Sequence, residues 1–377
     1  MADISQIGGN IRTFRENKGL TQRALADSVL VSFQAISAWE RGLSIPDLEN
    51  AVRIADYFGV SVDALLAESD QSLFVGIDGG GTKTEYILFD MNGTVLKAVR
   101  TEGSNPNDRG VDKCLEVLTS GLEQLLGNKV PKAIFAGIGG ASQPRYQEAI
   151  ENHLTSRFHC IVKADTDAAN VLSMGIDPDN SVAVICGTGS CVFVRMGNQR
   201  GRLGGWGYLL DQAGSAYDVG KDGLRHTLAV EDGLCEESYL TQRIHDALGG
   251  TALSNISAIY GGGRAYIADL AMVVLEAAGK GDKDALAILQ ANADRLALLI
   301  KTAVERYGMP AQIVTAGSFL KSDIFRTMVE DQIGVKLELP DLPPVYGACV
   351  EAMRAGEMQI PTEFRQNFMD SYRRVSC

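Results

Sequence analysis

The sequence predicts two parts of different class, an all-α head over residues 1–68 and a larger α/β body over residues 73–377. Three observations predict this division. The head places apolar residues at helical spacing behind helix-capping residues. The body alternates short apolar strands with amphipathic helices. Two strand pairs of the body are each joined by a glycine-rich turn, at residues 79–83 and 187–189.

Composition limits the class of protein. The chain has 377 residues, 45% hydrophobic and 22% charged, which is typical of two or three globular domains. A formal net charge of −12 excludes a uniformly basic nucleic-acid-binding protein, but not a small DNA-reading face. Seven scattered cysteines form no Cys-x-x-Cys pair, which favours a reducing cytoplasm over a disulfide framework or zinc site. We find no signal sequence and no apolar run long enough to span a bilayer, so we expect no membrane partner.

Five short helices are predicted in the head. Thr21, Ser32 and Asp47 stand where helix N-caps belong, each ahead of a short helical segment. A helix with apolar residues at 7, 11 and 14 precedes them, and a last one is predicted over residues 61–66. The polar residues 69–72 follow and are predicted to form a linker.

Within the head, the run Gly19-Leu20-Thr21-Gln22 is followed by Ala35-Ile36-Ser37-Ala38-Trp39-Glu40-Arg41-Gly42. This pattern resembles the Cro/C1-type (XRE-like) helix-turn-helix family, with one departure at Leu30, where the family usually has glycine. The resemblance implies that the second helix of the motif enters the DNA major groove. The base-facing residues it implies are Ser32, Phe33, Gln34 and Ser37, and the phosphate-facing residues are Gln22 and Arg41.

DNA binding by the head has an alternative, a helical dimerisation module that no longer binds DNA. Residues 1–69 hold six Lys/Arg against nine Asp/Glu, which weakens non-specific attraction to DNA. Glutamine side chains, however, read adenine through two hydrogen bonds. We therefore favour DNA binding through residues 1–68, in a homodimer.

The first glycine-rich turn lies between the apolar runs 74–77 and 86–89. We expect its glycines to adopt positive φ and to bring backbone N–H groups close to a phosphate. The candidate phosphate-binding residues are Gly79, Gly80, Gly81, Thr82 and Lys83. Asp78 precedes them and is expected to hold Mg²⁺ through water. The alternative is an ordinary tight hairpin.

Two further turns complete a candidate nucleotide site. A second apolar strand, turn and strand occupies residues 181–194, and a third strand ends in small residues at 313–318. The first two turns are expected to close on one polyphosphate, and the third to let an adenosine lie against the backbone. The added ATP-binding candidates are Gly187, Thr188, Gly189, Gly317 and Ser318.

This ordered set resembles the actin/hexokinase/chaperone ATPase superfamily, and within it N-acetylglucosamine kinase-like proteins and BadF/BcrA-type ATPases. The resemblance runs from about residue 73 to residues 344–348. It implies a two-lobed actin/hexokinase-like (ribonuclease H-like) ATPase body, with lobes over residues 73–180 and 181–377. ATP and Mg²⁺ are the implied cofactors, and an amino sugar is the implied substrate. The substrate-binding candidates are Asn105, Asp167, Ser190, Gly205, Trp206, Gly207 and Gln212.

Asp167 matches the catalytic aspartate of those kinases. A carboxylate at a strand end accepts the proton of a sugar hydroxyl while a phosphoryl group is transferred. The alternative role for Asp167 is a helix N-cap. Residues 211–215 depart from the kinase pattern Gly-Asp-Glu-Gly-Ser: Gln212 stands at the aspartate position and Ala213 at the glutamate position. Asp211 is a possible substitute.

Three functions follow from these residues. The first is an ATP-dependent amino-sugar kinase whose head ties transcription to sugar supply. The second is a catalytically inactive, sugar-responsive transcriptional regulator, which the change at Gln212 favours. The third is an ATPase activator of a dehydratase, which would need a cysteine-ligated iron–sulfur cluster for which no suitable cysteine pair is evident.

Overall fold

The structure, a computed structural model, describes residues 7–60, 62, 65 and 68–375. The chain divides into two compact units, residues 1–170 with 344–377, and residues 171–343. The predicted lobe boundary at 180/181 therefore comes too late. Residues 344–377 belong to the first unit rather than the second, because the helix over Pro344–Ala355 packs against strands of the first sheet.

The helices are α1 (Ile7–Asn17), α2 (Gln22–Ser28), α3 (Phe33–Glu40), α4 (Leu48–Phe58), α5 (Pro106–Arg109), α6 (Val111–Leu126), α7 (Pro144–Phe158), α8 (Asp167–Leu172), α9 (Ala216–Glu231), α10 (Tyr239–Leu248), α11 (Ile256–Gly279), α12 (Lys283–Tyr307), α13 (Asp323–Ile333), α14 (Pro344–Ala355) and α15 (Phe364–Val375). The strands are β1 (Glu68–Gly79), β2 (Lys83–Asp90), β3 (Val95–Glu102), β4 (Lys129–Ile138), β5 (Ile161–Asp165), β6 (Asn180–Cys186), β7 (Ser190–Met196), β8 (Gln199–Gly204) and β9 (Gln312–Ala316).

The head is helical, as predicted. The side chains of Thr21, Ser32 and Asp47 each accept a hydrogen bond from the backbone N–H three residues later, so all three N-caps are confirmed. Apolar side chains of the four helices meet in one buried core that includes Ile11 and Ile36. Of the helix predicted over residues 61–66, the structure describes residues 62 and 65 alone; both are helical, and Leu65 is buried in the head's core.

The first unit contains a five-stranded sheet in the order β3-β2-β1-β4-β5. Strands β1, β4 and β5 are parallel, and the β1-β2-β3 pairings are antiparallel. Helices α6 and α7 belong to the apolar core on one side of this sheet. The carboxyl ends of the three parallel strands consequently lie along one edge.

Residues 69–72, predicted as a linker, continue strand β1. The backbone of Glu68–Asp70 pairs in parallel with residues 129–131 of β4, and the register shifts between Asp70 and Phe74. The polar composition of this short segment indicated a linker, but β4 extends far enough to pair with its backbone. The strand therefore begins directly after the head and ends at the glycine turn.

The second unit contains a four-stranded sheet in the order β8-β7-β6-β9, with β6 and β9 parallel. Helix α12 packs on β7 and β8, and α9 packs on α11. Among the described residues, α11 is the one helix long and apolar enough to cross a membrane, a run that the sequence prediction did not identify. Its regular geometry breaks at Gly263, and residues such as Ala271 and Val274 lie in the core, so the length alone is weak evidence of a membrane span.

Candidate functional site

Acidic and small residues meet at the carboxyl edge of the first sheet. Asp78 on β1 is the register partner of Gly137 on β4, which is in turn the partner of Asp165 on β5. Asp167 follows two residues later, at the start of α8. Because β1, β4 and β5 are parallel, their ends bring these residues to one edge, where ligands bind in open α/β sheets.

The glycine turn follows β1 at this edge. Gly80 N donates to Lys83 O at 2.9 Å, and the side chains of Thr82 and Lys83 are exposed. Neither Gly79, Gly80 nor Gly81 has a positive φ, so that expectation is wrong.

The glycines serve close packing instead. A Cβ on Gly79 would lie 2.3 Å from Ser104 Oγ, and a Cβ on Gly103 would lie 2.1 Å from Gly81 O. Ser104 N also donates to Gly80 O at 3.0 Å. The segment around Ser104 therefore lies directly on the turn.

Asp78 has an unusual electrostatic environment. Burial raises the pKa of its carboxyl to about 6, and the nearby Asp167 charge acts in the same direction. A hydrogen bond from Asn170 Nδ2 to Asp78 Oδ1, 2.7 Å long, opposes this shift. The Lys83 ammonium opposes it as well. The Asp78 carboxyl therefore changes between its neutral and ionised forms near pH 6.

Asp167 shares its surroundings with a loop and a turn of the same unit. A Cβ on Gly139 would lie 3.2 Å from Asp167 Oδ2, and a Cβ on Gly140 would lie 2.1 Å from Asn105 Oδ1. Burial raises the pKa of the Asp167 carboxyl, although the Ala168 backbone N–H donates to it. The structure thus brings two predicted substrate-binding residues, Asn105 and Asp167, to the same glycine pair.

Asn105 also has a structural role. Its Oδ1 accepts from Asn107 N at 2.9 Å and caps the one-turn helix α5. Asn107 Nδ2 donates to Gly140 O at 3.2 Å. These bonds fix α5 against the turn that follows β4.

In the second unit, two of the predicted turns are neighbours. Strands β6 and β9 pair up to Ile185 and Ala316, so the Gly187–Gly189 and Gly317–Ser318 turns leave the sheet side by side. A Cβ on Gly187 would lie 3.9 Å from the Gly317 Cα. Gly317 has φ 96° and leaves no room for a side chain, since a Cβ would lie 2.2 Å from the Cys186 carbonyl oxygen. Thr188, Gly189 and Ser318 are exposed.

The remaining substrate-binding candidates lie on β7 and on the loop after β8. The Ser190 hydroxyl is buried and donates to Ala213 O at 2.9 Å, so its described contact is internal. Trp206 is 65% exposed, and the Arg202 guanidinium lies 4.3 Å from the centre of its ring. Gly205 and Gly207 on either side have positive φ, as a tight turn requires.

Asp211 holds this loop together. Its Oδ2 accepts from Trp206 N and its Oδ1 from Gln212 N, each at 3.1 Å. The carboxylate is thus engaged with the backbone of its own loop, whereas Gln212 is exposed. The suggestion that Asp211 replaces the missing aspartate therefore has no support in these contacts.

A Mg²⁺ ion held through water fits the first site, which is the group of residues around Asp78 at the carboxyl edge of the first sheet. Asp78 offers one carboxylate beside exposed hydroxyl and ammonium groups, and Mg²⁺ usually binds one or two carboxylates while keeping several waters. No group of three or more His, Cys, Asp or Glu side chains in the described part of the chain is arranged to hold a metal directly. The donor set therefore suits a water-held ion that also contacts phosphates.

In the head, α3 presents the predicted DNA-reading face. Ser32, Phe33 and Gln34 are exposed, and Ser37 is half-buried. Arg41 is exposed as well, with its Nε donating to Ser37 O at 3.0 Å. The exposed polar and apolar atoms of this helix have no role in the head's core.

Gln22, unlike the exposed residues of that face, makes a side-chain hydrogen bond within the head: its Nε2 donates to Glu40 Oε2 at 2.7 Å. Glu40 is also paired with Arg15, whose Nε lies 2.6 Å from Glu40 Oε1. The described contact of Gln22 is thus internal, and its contact with phosphate remains a prediction.

Sequence reasoning missed several residues of the first site. They are Ser104, Gly103, Gly137, Gly139, Gly140 and Asn170. The glycines were visible as Gly-x-Gly-Gly at the end of β4, and Asn170 stands one helical turn after Asp167. Only the packing shows that the Asn170 amide occupies the space that a side chain at position 137 would fill.

The two α/β units and the helical head define a sugar-kinase-fold ATPase domain joined to a helix-turn-helix domain. Residues 75–352 match the sequence profile of the BadF/BadG/BcrA/BcrD ATPase family, and residues 11–65 match a helix-turn-helix family. The chain belongs to the BadF/BadG/BcrA/BcrD ATPase family. Both predicted resemblances are confirmed.

Proteins of known name are similar in sequence or fold to the body of this chain. An N-acetyl-D-glucosamine kinase of Dictyostelium discoideum is 28% identical over 290 residues, which are 70% of this chain and 90% of that protein. An N-acetylmuramic acid/N-acetylglucosamine kinase of Clostridium acetobutylicum is 32% identical over 265 residues, which are 66% of this chain and 85% of that one. A crystal structure from Chromobacterium violaceum superposes with a TM-score of 0.60 at 22% identity, over 74% of this chain and 98% of that chain, which shows the shared fold.

Proposed function

We propose that the body is an ATP-dependent kinase for an amino sugar of the N-acetylglucosamine type, and that the head binds DNA and regulates transcription. The observation that carries the kinase proposal is the position of Asp167, which lies at the carboxyl edge of the sheet, close to Asp78 and the glycine turn. Two relatives of the body are kinases of N-acetylglucosamine or N-acetylmuramic acid, which supports this substrate class.

Asp167 acts as the general base in this proposal. A sugar hydroxyl is a poor nucleophile at neutral pH, and a carboxylate in hydrogen-bond reach accepts its proton as the phosphoryl group is transferred. Burial raises the pKa of Asp167 toward the working pH, which strengthens it as a base. Mg²⁺, when bound, neutralises charge on the phosphate oxygens. Thr82 and Lys83 bind the phosphates from the exposed side of the turn.

Further ligand contacts are proposed for the loops of both units. ATP contacts include Gly79, Gly80 and Gly81 of the first unit and Gly187, Thr188, Gly189, Gly317 and Ser318 of the second. Sugar contacts include Asn105, Ser190, Gly205, Trp206, Gly207 and Gln212. The exposure of Trp206 and Gln212 supports a role in ligand binding, since neither side chain is needed in the core.

ADP release tests the kinase proposal directly. A panel of amino sugars is incubated with ATP and Mg²⁺, and the native protein is compared with Asp167→Asn. General-base catalysis contributes roughly 10²–10⁴-fold, so the variant is expected to lose turnover by that factor while ATP binding is retained. Asp90→Asn is the matched control, because Asp90 Oδ1 accepts from Asn92 N and Thr94 N, each at 2.9 Å, in the turn between β2 and β3. Undiminished product formation by Asp167→Asn would remove Asp167 from this role.

A catalytically inactive, sugar-responsive regulator is the second candidate. It is favoured by the loop after β8, where Gln212 replaces a charged residue and Asp211 is occupied by backbone N–H groups. A neutral hydrogen bond is roughly half as strong as one to a charged group, so Gln212 would bind a sugar hydroxyl more weakly than an aspartate would. Sugar binding in calorimetry without ADP release from any sugar of the panel would support this candidate over the kinase.

DNA binding is tested on a duplex selected from a random-sequence library. Gln34→Ala is expected to cost about 1–3 kcal/mol on the selected duplex and to relax its sequence preference, as loss of a base contact does. Arg41→Ala is expected to weaken all duplexes alike and to reduce the salt dependence by about one ion. Arg145→Ala on the body removes the same charge and is the control. Absence of any selected duplex would favour the dimerisation module.

The cellular setting follows from the same proposal. A kinase that uses ATP and a regulator that binds DNA would both work in the cytoplasm. We propose a homodimer, because helix-turn-helix dimers read half-sites about 34–36 Å apart. Sedimentation of the full chain with and without the selected duplex tests this arrangement.

A further inference from the structure

A buried asparagine lies beside Asp78 at the carboxyl edge of the first sheet. Asn170 is fully buried, and its Nδ2 donates to Asp78 Oδ1 at 2.7 Å and approaches the Gly137 carbonyl oxygen at 3.4 Å. We propose that Asn170 is a positioning residue that fixes the Asp78 carboxylate, so that Oδ2 is left for the water shell of Mg²⁺. The inference rests on the proposed kinase function and adds a residue that sequence patterns did not indicate.

The space for Asn170 is created by two glycines. Asp78 and Gly137 are register partners on neighbouring parallel strands, so a side chain at 137 would project on the same face as Asp78. A Cβ at 137 would lie 2.0 Å from Asn170 Oδ1, and a Cβ at Gly347 on α14 would lie 1.7 Å from the Asn170 carbonyl oxygen. Substitution at either glycine would displace the amide from Asp78.

The orientation of the amide follows from its neighbours. The two groups on its Nδ2 side, Asp78 Oδ1 and Gly137 O, are both acceptors. A flipped amide would place the Asn170 oxygen against these two oxygens, with no hydrogen between them. Asn170 Oδ1 is buried without a hydrogen-bond partner among the described residues. Such an orphaned acceptor lowers stability. Packing alone therefore does not explain an asparagine here, whereas the bond to Asp78 does.

Calorimetry of ATP binding with and without Mg²⁺ tests this role. In wild type, Mg²⁺ is expected to strengthen ATP binding. In Asn170→Ala, binding in EDTA is expected to stay near the wild-type value, while the Mg²⁺ enhancement falls by about tenfold, as loss of a hydrogen bond to a charged group predicts. Asn292→Ala is the matched control, because Asn292 is equally buried and its Nδ2 donates to Asp222 Oδ2 at 3.0 Å in the second unit.

A second variant separates positioning from packing. Asn170→Leu fills a similar volume without a donor, and its folding is checked by circular dichroism; it is expected to lose the Mg²⁺ enhancement as Asn170→Ala does. The KM for Mg²⁺ is expected to rise more than kcat falls in both variants. A normal enhancement in wild type and in both variants would overturn the role of Asn170 alone. Absence of ATP binding by wild type would overturn the kinase proposal and this inference with it.

Discussion

The Asp78 carboxyl gives the first site a pH signature. Its pKa is raised to about 6 because burial disfavours the ionised form. The folded protein therefore binds this proton more tightly than the unfolded chain, whose aspartates titrate near 4. Between about pH 4 and pH 6, the carboxyl is ionised in the unfolded chain but keeps its proton in the folded protein. The contribution of Asp78 to the free energy of unfolding therefore falls as pH rises, and this fall is complete above about pH 6.

Asp78→Asn is expected to remove this pH-dependent loss. In metal-free buffer the variant gains stability over wild type as pH rises from about 4 to 7, by up to about 3 kcal/mol, since one pKa unit corresponds to about 1.4 kcal/mol. Thermal unfolding of both proteins across this range in EDTA measures the difference. A difference that stays constant with pH would contradict a raised pKa for Asp78.

Among the elements, the turn between α2 and α3 carries a strained residue. Val31 N donates to Ala26 O at 3.0 Å, as in helix ends that place a left-handed residue before the closing N–H. That residue is Leu30, with φ 56°. The helix-turn-helix family that the head resembles usually has glycine at this position. The departure noted in the sequence leaves the turn in its usual conformation but places a side chain there at an energetic cost.

Leu30→Gly is expected to stabilise the head. A left-handed conformation costs a residue with a side chain roughly 1–2 kcal/mol, and glycine's greater freedom in the unfolded chain offsets part of the gain, so the net effect is about 1 kcal/mol. Leu30 is 80% exposed, so little buried area is lost. Leu43→Gly, at a 69% exposed position without positive φ, is the control and is expected to destabilise. Hydrogen exchange of α2 and α3 measures both effects.

Strand β1 is the element that connects the helical head to the first glycine turn. It begins at Glu68, directly after the head, and ends at Gly79 beside Asp78. The segment that the sequence predicted as a short linker is part of this paired strand. Both ends of β1 belong to the first unit, so the head and the glycine turn are connected by one continuous strand.

For the whole molecule, this connection predicts coupling between ligand and DNA binding. Saturating N-acetylglucosamine with ATP is expected to change affinity for the selected duplex by about 5- to 150-fold, the range typical of allosteric coupling. Fluorescence anisotropy measures this effect, with sugar alone and nucleotide alone as separate titrations. Asp167→Asn distinguishes ligand occupancy from turnover. Unchanged affinity would show that the ligands do not discriminate between the states of the head.

The sequence by itself determined the class of the head, its three N-caps, the α/β body and the glycine turns, because these depend on local patterns of capping, apolar spacing and turn residues. The lobe boundary, the extension of β1 and the Asp78–Asn170 bond were decided by tertiary structure alone. Each depends on residues distant in sequence: α14 returns to the first sheet, β4 pairs with residues 68–70, and Gly137 leaves room for Asn170. Such long-range packing leaves no periodic signal in the chain, so it becomes visible only when the strands are side by side.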